Sequence, residues 1–139
     1  MCELPTLALL EGFSVRDSIL YNQLHFCVVY KDPDGSYRSR VVKGYYAGSV
    51  FGSYGEARLC VYKEKKYGWI CVDPETGAAL SRKFYQFRQC AIDDARKRLS
   101  EMSPDVYGRI RARIKDAWVK EGLMVRKGFG EYKWQQPEI

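Results

Sequence analysis

Basic side chains are the residues in this sequence whose type and spacing best suit contact with a ligand. They gather at the end of a predicted strand and on two predicted helices, at Arg82, Lys83, Arg96, Lys97, Arg98, Arg109, Arg111, Arg113 and Lys115. A guanidinium group is planar and can bind a phosphate through two parallel hydrogen bonds. Aromatic side chains with exposed faces would add base stacking, at Trp69, Tyr37, Tyr45 and Tyr46. The competing interpretation is a pair of solvated helix flanks with i, i+4 ion pairs such as Asp116 with Lys120.

Catalytic groups are hard to assemble from this sequence. Asp93 and Asp94 are adjacent on a predicted helix, so their side chains point about 100° apart and cannot face one substrate together. His25 is the only histidine, which leaves Cys-His catalysis and Cys/His zinc sites with one participant. The glycines of residues 44–55 match neither G-x-x-x-x-G-K-[ST] nor G-x-G-x-x-G, and turns explain them. We therefore predict no catalytic residue, no metal ligand and no cofactor, and a protein that is not an enzyme.

Charge and cysteine content indicate a cytoplasmic protein with an anionic partner. The formal charge is +6, and residues 81–139 contain the whole surplus, with 14 basic against 8 acidic side chains. Such asymmetry favours a polyanion. Five cysteines without a C-x-x-C pair argue against a disulfide framework or a zinc knuckle. No apolar run reaches the roughly 20 residues that cross a bilayer, and the first residues lack the basic start of a secretory signal.

Two hairpins must position many of these cations. Residues 23–30 and 37–46 have the pattern of two strands around a turn. Residues 67–99 have the pattern of strand, turn, strand and helix, with residues 73–77, Asp-Pro-Glu-Thr-Gly, as the turn and residues 78–84 as the return strand. From Phe87 onward the apolar period is that of a helix with one buried face.

The last helix has the clearest boundaries. Ser103 is the predicted N-cap, Pro104 occupies the first helical position, and Gly122 is the predicted stop. The tail has the pattern of a short strand or a hairpin around Lys127 and Gly128. We expect a core that includes Trp69, Ile70, Val72, Ile92, Leu99, Ile110, Ile114 and Trp118.

Residues 54–66 fit two structures. Ser53 and Glu56 form a capping-box pattern, and the apolar residues that follow have helical spacing, which predicts a helix. The alternative is a β-prone strand over residues 57–62, which would make residues 63–66 the tip of a hairpin.

The predicted fold class is α+β, in a single domain over residues 1–139. We expect an antiparallel sheet of two hairpins with two or three helices packed on one face and the C-terminal helix last. A helix at residues 54–66 would divide the chain into two ββα halves, residues 23–66 and 67–100, followed by a C-terminal helix and tail in residues 103–139.

The order strand, turn, strand and helix in residues 67–100 resembles the small DNA-binding domains of the plant APETALA type and of integrase arm-binding regions. In those domains an aromatic residue after the sheet precedes a helix with an acidic-acidic-Ala-basic pattern, here residues 93–96. The resemblance implies that an exposed sheet face reads the major groove of DNA. The contacts that it implies are Trp69, Arg82, Lys83, Arg38, Arg40 and Lys43.

We therefore expect a non-enzymatic nucleic-acid-binding protein, with DNA as the partner in preference to RNA and no small-molecule substrate or membrane contact. Its contacts would be Arg38, Arg40, Lys43, Trp69, Arg82, Lys83, Arg109, Arg111 and Arg113. The alternative is a protein-interaction module, such as a phage or mobile-element inhibitor that docks on a nucleoprotein enzyme, because Tyr and Arg are also common at interface hot spots. A continuous Arg and Lys surface would favour the first hypothesis, and a mixed-charge surface with exposed aromatics the second.

Overall fold

A computed structural model describes residues 23–52, 55–102, 104–128 and 131–135 of the chain. Four strands are followed by two helices and two short strands: β1 Gln23–Lys31, β2 Tyr37–Gly52, β3 Gly55–Glu64, β4 Gly68–Val72, α1 Arg88–Glu101, α2 Pro104–Lys120, β5 Met124–Lys127 and β6 Glu131–Trp134. Strands β1 to β4 form one antiparallel sheet in chain order, and β5 and β6 form a second. The predicted α+β class is confirmed.

Turn chemistry closes the first hairpin, between β1 and β2. The carboxylate of Asp34 accepts hydrogen bonds from the backbone N–H of Ser36 at 2.9 Å and from its hydroxyl at 2.6 Å. Gly35 adopts a φ of +91°, which glycine does without steric cost. The register places Phe26 opposite Val42. The predicted strand pair is confirmed.

The predicted helix at residues 54–66 is wrong, and the strand alternative is confirmed, because this segment is β3. Its side chains alternate between two buried clusters, with Leu59 and Val61 in one and Cys60 and Tyr62 in the other. A strand that is covered on both faces is apolar on both, so its sequence also fits a helical period. The first of the two expected ββα halves therefore contains three strands and, among its described residues, no helix.

The predicted return strand of the second hairpin, residues 78–84, is also corrected. The chain from residue 79 to residue 85 makes two isolated bridges to β4, Ala79 with Val72 and Tyr85 with Trp69. Between the bridges the chain leaves the ladder, because the N–H groups of Leu80 and Ser81 both donate to the carbonyl oxygen of Cys71, at 2.7 and 3.1 Å.

The sheet curls until its edge strands approach each other through residues 77–79. The N–H of Val29 on β1 donates to the carbonyl oxygen of Gly77 at 3.1 Å, while Ala79 bridges to β4. Gly77 has a φ of +70°, and a Cβ there would lie 3.0 Å from the Val29 nitrogen, so the close approach requires glycine. The inner face contains a buried cluster of Phe26, Val28, Val42, Cys60, Tyr62, Ile70 and Val72, with Phe84 packed against it.

Helix α1 covers the outer face of the sheet. Its buried residues Ala91, Ile92, Ala95 and Leu99 join Leu59, Val61 and Cys71 of the sheet in one cluster. Of the predicted core, four residues are buried, namely Ile70, Val72, Ile92 and Leu99. The other four are half-buried, namely Trp69, Ile110, Ile114 and Trp118.

Helix α2 docks on the turn of residues 73–77 and on the first hairpin. The indole N–H of Trp118 donates to the carbonyl oxygen of Thr76 at 2.7 Å. The Trp118 ring lies 5.1 Å, between centroids, from the ring of Tyr37 on β2. This contact gives α2 a fixed position relative to the sheet.

The C-terminal elements end where the sequence predicts. Gly122, with a φ of +77°, follows α2, and Gly128, with a φ of +61°, lies between β5 and β6. The predicted N-cap, Ser103, lies outside the described residues. Within the described ranges, no helix has the length and apolar character needed to cross a membrane.

Candidate nucleic-acid interface

A groove opens at one end of the sheet, where β2 and β3 separate. Their pairing runs from Gly52 with Gly55 to Tyr45 with Val61, and beyond that point β2 stays paired with β1. Gly44 is the first β2 residue beyond the last pair, and its backbone still passes close to β3. A Cβ there would lie 2.3 Å from the carbonyl oxygen of Val61, so this close approach requires glycine. The groove between the separated strands has a volume of about 460 Å³.

Basic side chains dominate the lining of this groove. The lining residues are Arg40, Val41, Val42, Lys43, Tyr62, Lys63, Glu64, Lys65 and Lys66. Five are cations and one is an acid, Glu64, so the groove has a net charge of +4. The Glu64 carboxylate pairs with the Arg40 guanidinium. The four lysines are exposed, and in the described part of the chain no carboxylate forms an ion pair with them. Their charge is therefore available to an anionic ligand.

Tyr62 is the one tyrosine among the lining residues of the groove. Tyr62 is 9% exposed and belongs to the inner cluster. Burial raises the pKa of this phenol, and the nearby Arg40 charge only partly opposes the shift. The hydroxyl therefore stays protonated at neutral pH and can donate a hydrogen bond to an anion.

Two of the predicted sheet contacts, Arg40 and Lys43, lie in the groove. Arg38 is on the same strand and face as Arg40 but outside the groove, and its guanidinium pairs with the carboxylate of Asp32. Both arginines therefore have a carboxylate partner, whereas Lys43 does not among the described residues.

Trp69 borders the groove and does not line it. It is half-buried and pairs across the ladder with Lys63, a groove residue. The guanidinium carbon of Arg88 lies 5.4 Å from the centroid of the Trp69 ring, within cation–π range. One face of the indole is therefore already occupied.

Arg82 and Lys83 lie in the segment between β4 and α1. The backbone N–H of Arg82 donates to Asp94 at 2.6 Å, and its guanidinium lies 3.7 Å from Asp94 and 4.0 Å from Glu101. Lys83 is exposed, with its ammonium 5.2 Å from the centroid of the Tyr85 ring. Two carboxylates thus offset the charge of Arg82.

On α2, Arg109 and Arg113 are exposed but Arg111 is buried, at 8% exposure. Its Nε lies 3.3 Å from a carboxylate oxygen of Asp73, and its guanidinium also pairs with Glu75. Successive helical residues are about 100° apart, so residues two apart cannot share one face. The expectation that Arg111 contacts a phosphate is therefore corrected, because its charge is used inside the protein.

Asp73 is the centre of this buried network. Its carboxylate, 1% exposed, accepts a hydrogen bond from the Tyr107 hydroxyl at 2.7 Å and faces Arg111. Burial raises the pKa of Asp73, and the Tyr107 hydrogen bond and the Arg111 charge oppose that shift. Burial also lowers the pKa of Lys115, as does Arg111, and Lys115 pairs with Glu75 at 3.3 Å. These paired groups tie the 73–77 turn to α2.

A larger cleft of about 720 Å³ lies beside that network. It is lined by Glu56, Glu75, Gly108, Arg111, Ala112, Lys115, Asp116, Arg126 and Tyr132. Three cations face three carboxylates, so the local charges cancel and a polyanion gains little there. The groove between β2 and β3 is therefore the better candidate interface.

Three groove residues, Lys63, Lys65 and Lys66, are absent from the predicted contacts. The run Lys63-Glu64-Lys65-Lys66 in front of Tyr67 and Gly68 is the signal that could have found them. It marks an exposed basic hairpin tip only if residues 57–62 are a strand, so the helix prediction concealed it.

Other chemistry has little support in the described residues. No group of three or more His, Cys, Asp and Glu side chains gathers there as a metal site would require. Cys27, Cys60 and Cys71 are free thiols. Burial raises the pKa of Cys60 to about 12 and also raises that of Cys71, so neither provides a thiolate nucleophile at neutral pH.

Comparison of the chain with protein-family models, with curated proteins and with solved structures finds no match. The contacts implied by the resemblance of residues 67–100 would come from an exposed sheet face. The groove cations lie at the end of the sheet instead, and both sheet faces carry a buried cluster.

Proposed function

We propose that this protein binds nucleic acid through the groove between β2 and β3. The observation that carries the proposal is the concentration of four exposed lysines in a space of about 460 Å³ whose one carboxylate is already paired. Phosphates that enter such a space displace their counterions and gain Coulomb energy from several lysines at once. Arg109 and Arg113 on α2 are candidate outer contacts for a longer ligand.

We infer a binding role in preference to a catalytic one. The buried ionisable groups Asp73, Tyr107 and Arg111 contact one another and form a structural tie. Asp73 and Tyr107 line a cavity of about 150 Å³, but the Asp73 carboxylate is engaged by the Tyr107 hydroxyl and the Arg111 guanidinium, which suits a structural role better than proton transfer to a substrate. The lysines of the groove act as fixed positive charges, which suits phosphate binding without a reaction.

The test compares two triple variants that remove the same charge. Lys63, Lys65 and Lys66 are changed to Ala in one, and the exposed Lys97, Lys120 and Lys133, outside the groove, in the other. Fluorescence anisotropy with a labelled oligonucleotide at low salt measures the affinity. We expect the groove variant to bind at least about tenfold more weakly, because it loses up to three phosphate contacts, and the control to bind within about twofold of the native protein.

Two results would overturn the proposal. The native protein binding neither DNA nor RNA at low salt would remove nucleic acid as the ligand and leave an acidic protein surface as the partner to test. Equal losses in the two triple variants would show that net charge, and not the groove, attracts the oligonucleotide.

A further inference from the structure

An exposed aromatic ring follows the last groove lysine. Tyr67 is 62% exposed, against 36% for Tyr37 and for Phe87, the other exposed large hydrophobic residues in the described ranges. It lies in the turn between β3 and β4, next to Lys66, whose ammonium is 6.0 Å from the ring centroid. The ring is therefore open to a ligand whose phosphates enter the cationic groove.

The Tyr67 ring has a firm support. It packs against Phe84 with centroids 5.4 Å apart and planes tilted by 40°, and Phe84 in turn packs on the inner cluster. The following residue, Gly68, has a φ of +100°, and a Cβ there would lie 2.4 Å from the carbonyl oxygen of Tyr85. The backbone of the hairpin tip thus lies against the 84–85 segment, and the ring has Phe84 as its support.

The backbone of the tip is tied to the same segment. Trp69 donates its N–H to the carbonyl oxygen of Tyr85 at 2.6 Å, and Tyr85 donates to the carbonyl oxygen of Trp69 at 2.7 Å. A ligand that stacks on Tyr67 therefore meets a preorganised surface, and little ordering entropy opposes binding.

We propose that the groove selects single-stranded nucleic acid, with the backbone phosphates on the lysines and an unpaired base stacked on Tyr67. This inference rests on the proposed function and names its ligand class. A single strand offers phosphates and open base faces together, which matches a basic groove beside an exposed ring. A duplex keeps its bases within the stack and would present its phosphates alone to this end of the sheet.

The test uses three ligands of equal length: an oligothymidine, an abasic oligonucleotide with the same backbone, and a duplex. Tyr67→Ala should weaken oligothymidine binding about 5- to 150-fold, as loss of one stacked base does, and leave the abasic and duplex affinities within about twofold. Tyr67→Phe should retain the native affinity, because the ring remains. The matched control is Phe87→Ala, since Phe87 is also an exposed aromatic residue but lies at the start of α1, away in sequence from the groove residues.

The results separate this inference from the proposed function. If oligothymidine binding depends on the groove lysines but Tyr67→Ala leaves it unchanged, stacking is overturned and phosphate binding is retained. If the duplex binds as tightly as oligothymidine, the preference for single strands is overturned. If neither these three ligands nor a single-stranded RNA of the same length binds at low salt, both proposals fail. Thermal unfolding of each variant verifies that the fold is intact.

Discussion

Arg111 on α2 forms ion pairs with two carboxylates of the 73–77 turn. Its guanidinium lies between Asp73 and Glu75 and is almost fully removed from water. Burying charges costs several kcal/mol per ion, which their attraction offsets only when each has a well-placed partner. The Tyr107 hydroxyl adds a hydrogen bond to Asp73 and satisfies another of its lone pairs. The network is therefore sensitive to the loss of any one member.

Changing Arg111 to Ala should lower the free energy of unfolding by about 3–5 kcal/mol at neutral pH, because it leaves the buried Asp73 carboxylate without its cation. Urea denaturation measures the loss. Arg109→Ala on the same helix is the control and should cost less than about 0.5 kcal/mol, since Arg109 is exposed. Equal costs for the two variants would show that the buried ion pair does not stabilise the fold.

The deficit of the Arg111→Ala variant should also depend on pH. Burial already raises the folded-state pKa of Asp73, and loss of the cation raises it further. When the pKa of a carboxyl group is higher in the folded than in the unfolded protein, the free energy of unfolding falls as the pH rises from the unfolded to the folded pKa. The difference between variant and native protein should therefore shrink as pH falls toward 4, which urea denaturation at several pH values verifies.

At the scale of elements, the sequence predicts structure best where local chemistry decides it. The first hairpin, the end of α2 at Gly122 and the tail hairpin depend on turn residues with their own backbone preferences. The structure of β3 depends instead on the residues that pack against it. Both of its faces are buried, so its apolar residues do not alternate with polar ones and their spacing does not identify a strand. Leu80 and Ser81 leave the ladder with β4 because both of their N–H groups donate to the carbonyl oxygen of Cys71, an arrangement that no sequence pattern specifies.

The candidate site was predictable to the same extent. Arg40 and Lys43, two of the predicted contacts, lie in the candidate groove because they belong to a strand that turn chemistry identifies. Lys65 and Lys66 were missed because the groove forms only when β3 is a strand that separates from β2. Arg111 was misplaced because burial beside Asp73 requires the turn and α2 to meet, two segments that lie far apart in the chain.

The closure of the sheet at Gly77 has its own prediction. Gly77→Ala and Gly122→Ala introduce a Cβ at similar backbone angles, φ +70° and +77°, but only the former meets β1, 3.0 Å from the Val29 nitrogen. In both variants the free energy of unfolding should fall by roughly 1–2 kcal/mol, because alanine is strained in the left-handed conformation. In Gly77→Ala it should fall by about 1–3 kcal/mol more, because the new Cβ overpacks against β1. Urea denaturation compares them. Equal losses would mean that β1 and the turn are not in close contact.

For the whole molecule, folding pairs acidic residues of one part of the chain, residues 1–80, with basic residues of the other, residues 81–139. Residues 1–80 are neutral in sum, yet their lysines line the basic groove. The reason is that acids of this part, Asp73 and Glu75, pair with Arg111 and Lys115 of the basic part. The net charge of a segment therefore does not show where the positive surface lies.

Salt dependence distinguishes this local charge from the net charge of +6. Four phosphate contacts on a single strand predict that log K falls with log salt at a slope of about −3, near −0.7 per phosphate. Changing Lys63, Lys65 and Lys66 to Ala should make the slope less negative by about 2. Changing Lys97, Lys120 and Lys133 removes the same formal charge and should leave the slope within about 0.5 of the native value. Anisotropy titrations across a salt series measure the slopes for the native protein and the two variants. Equal changes of slope in the two variants would assign the attraction to the net charge of the whole molecule and would remove the groove as the binding site.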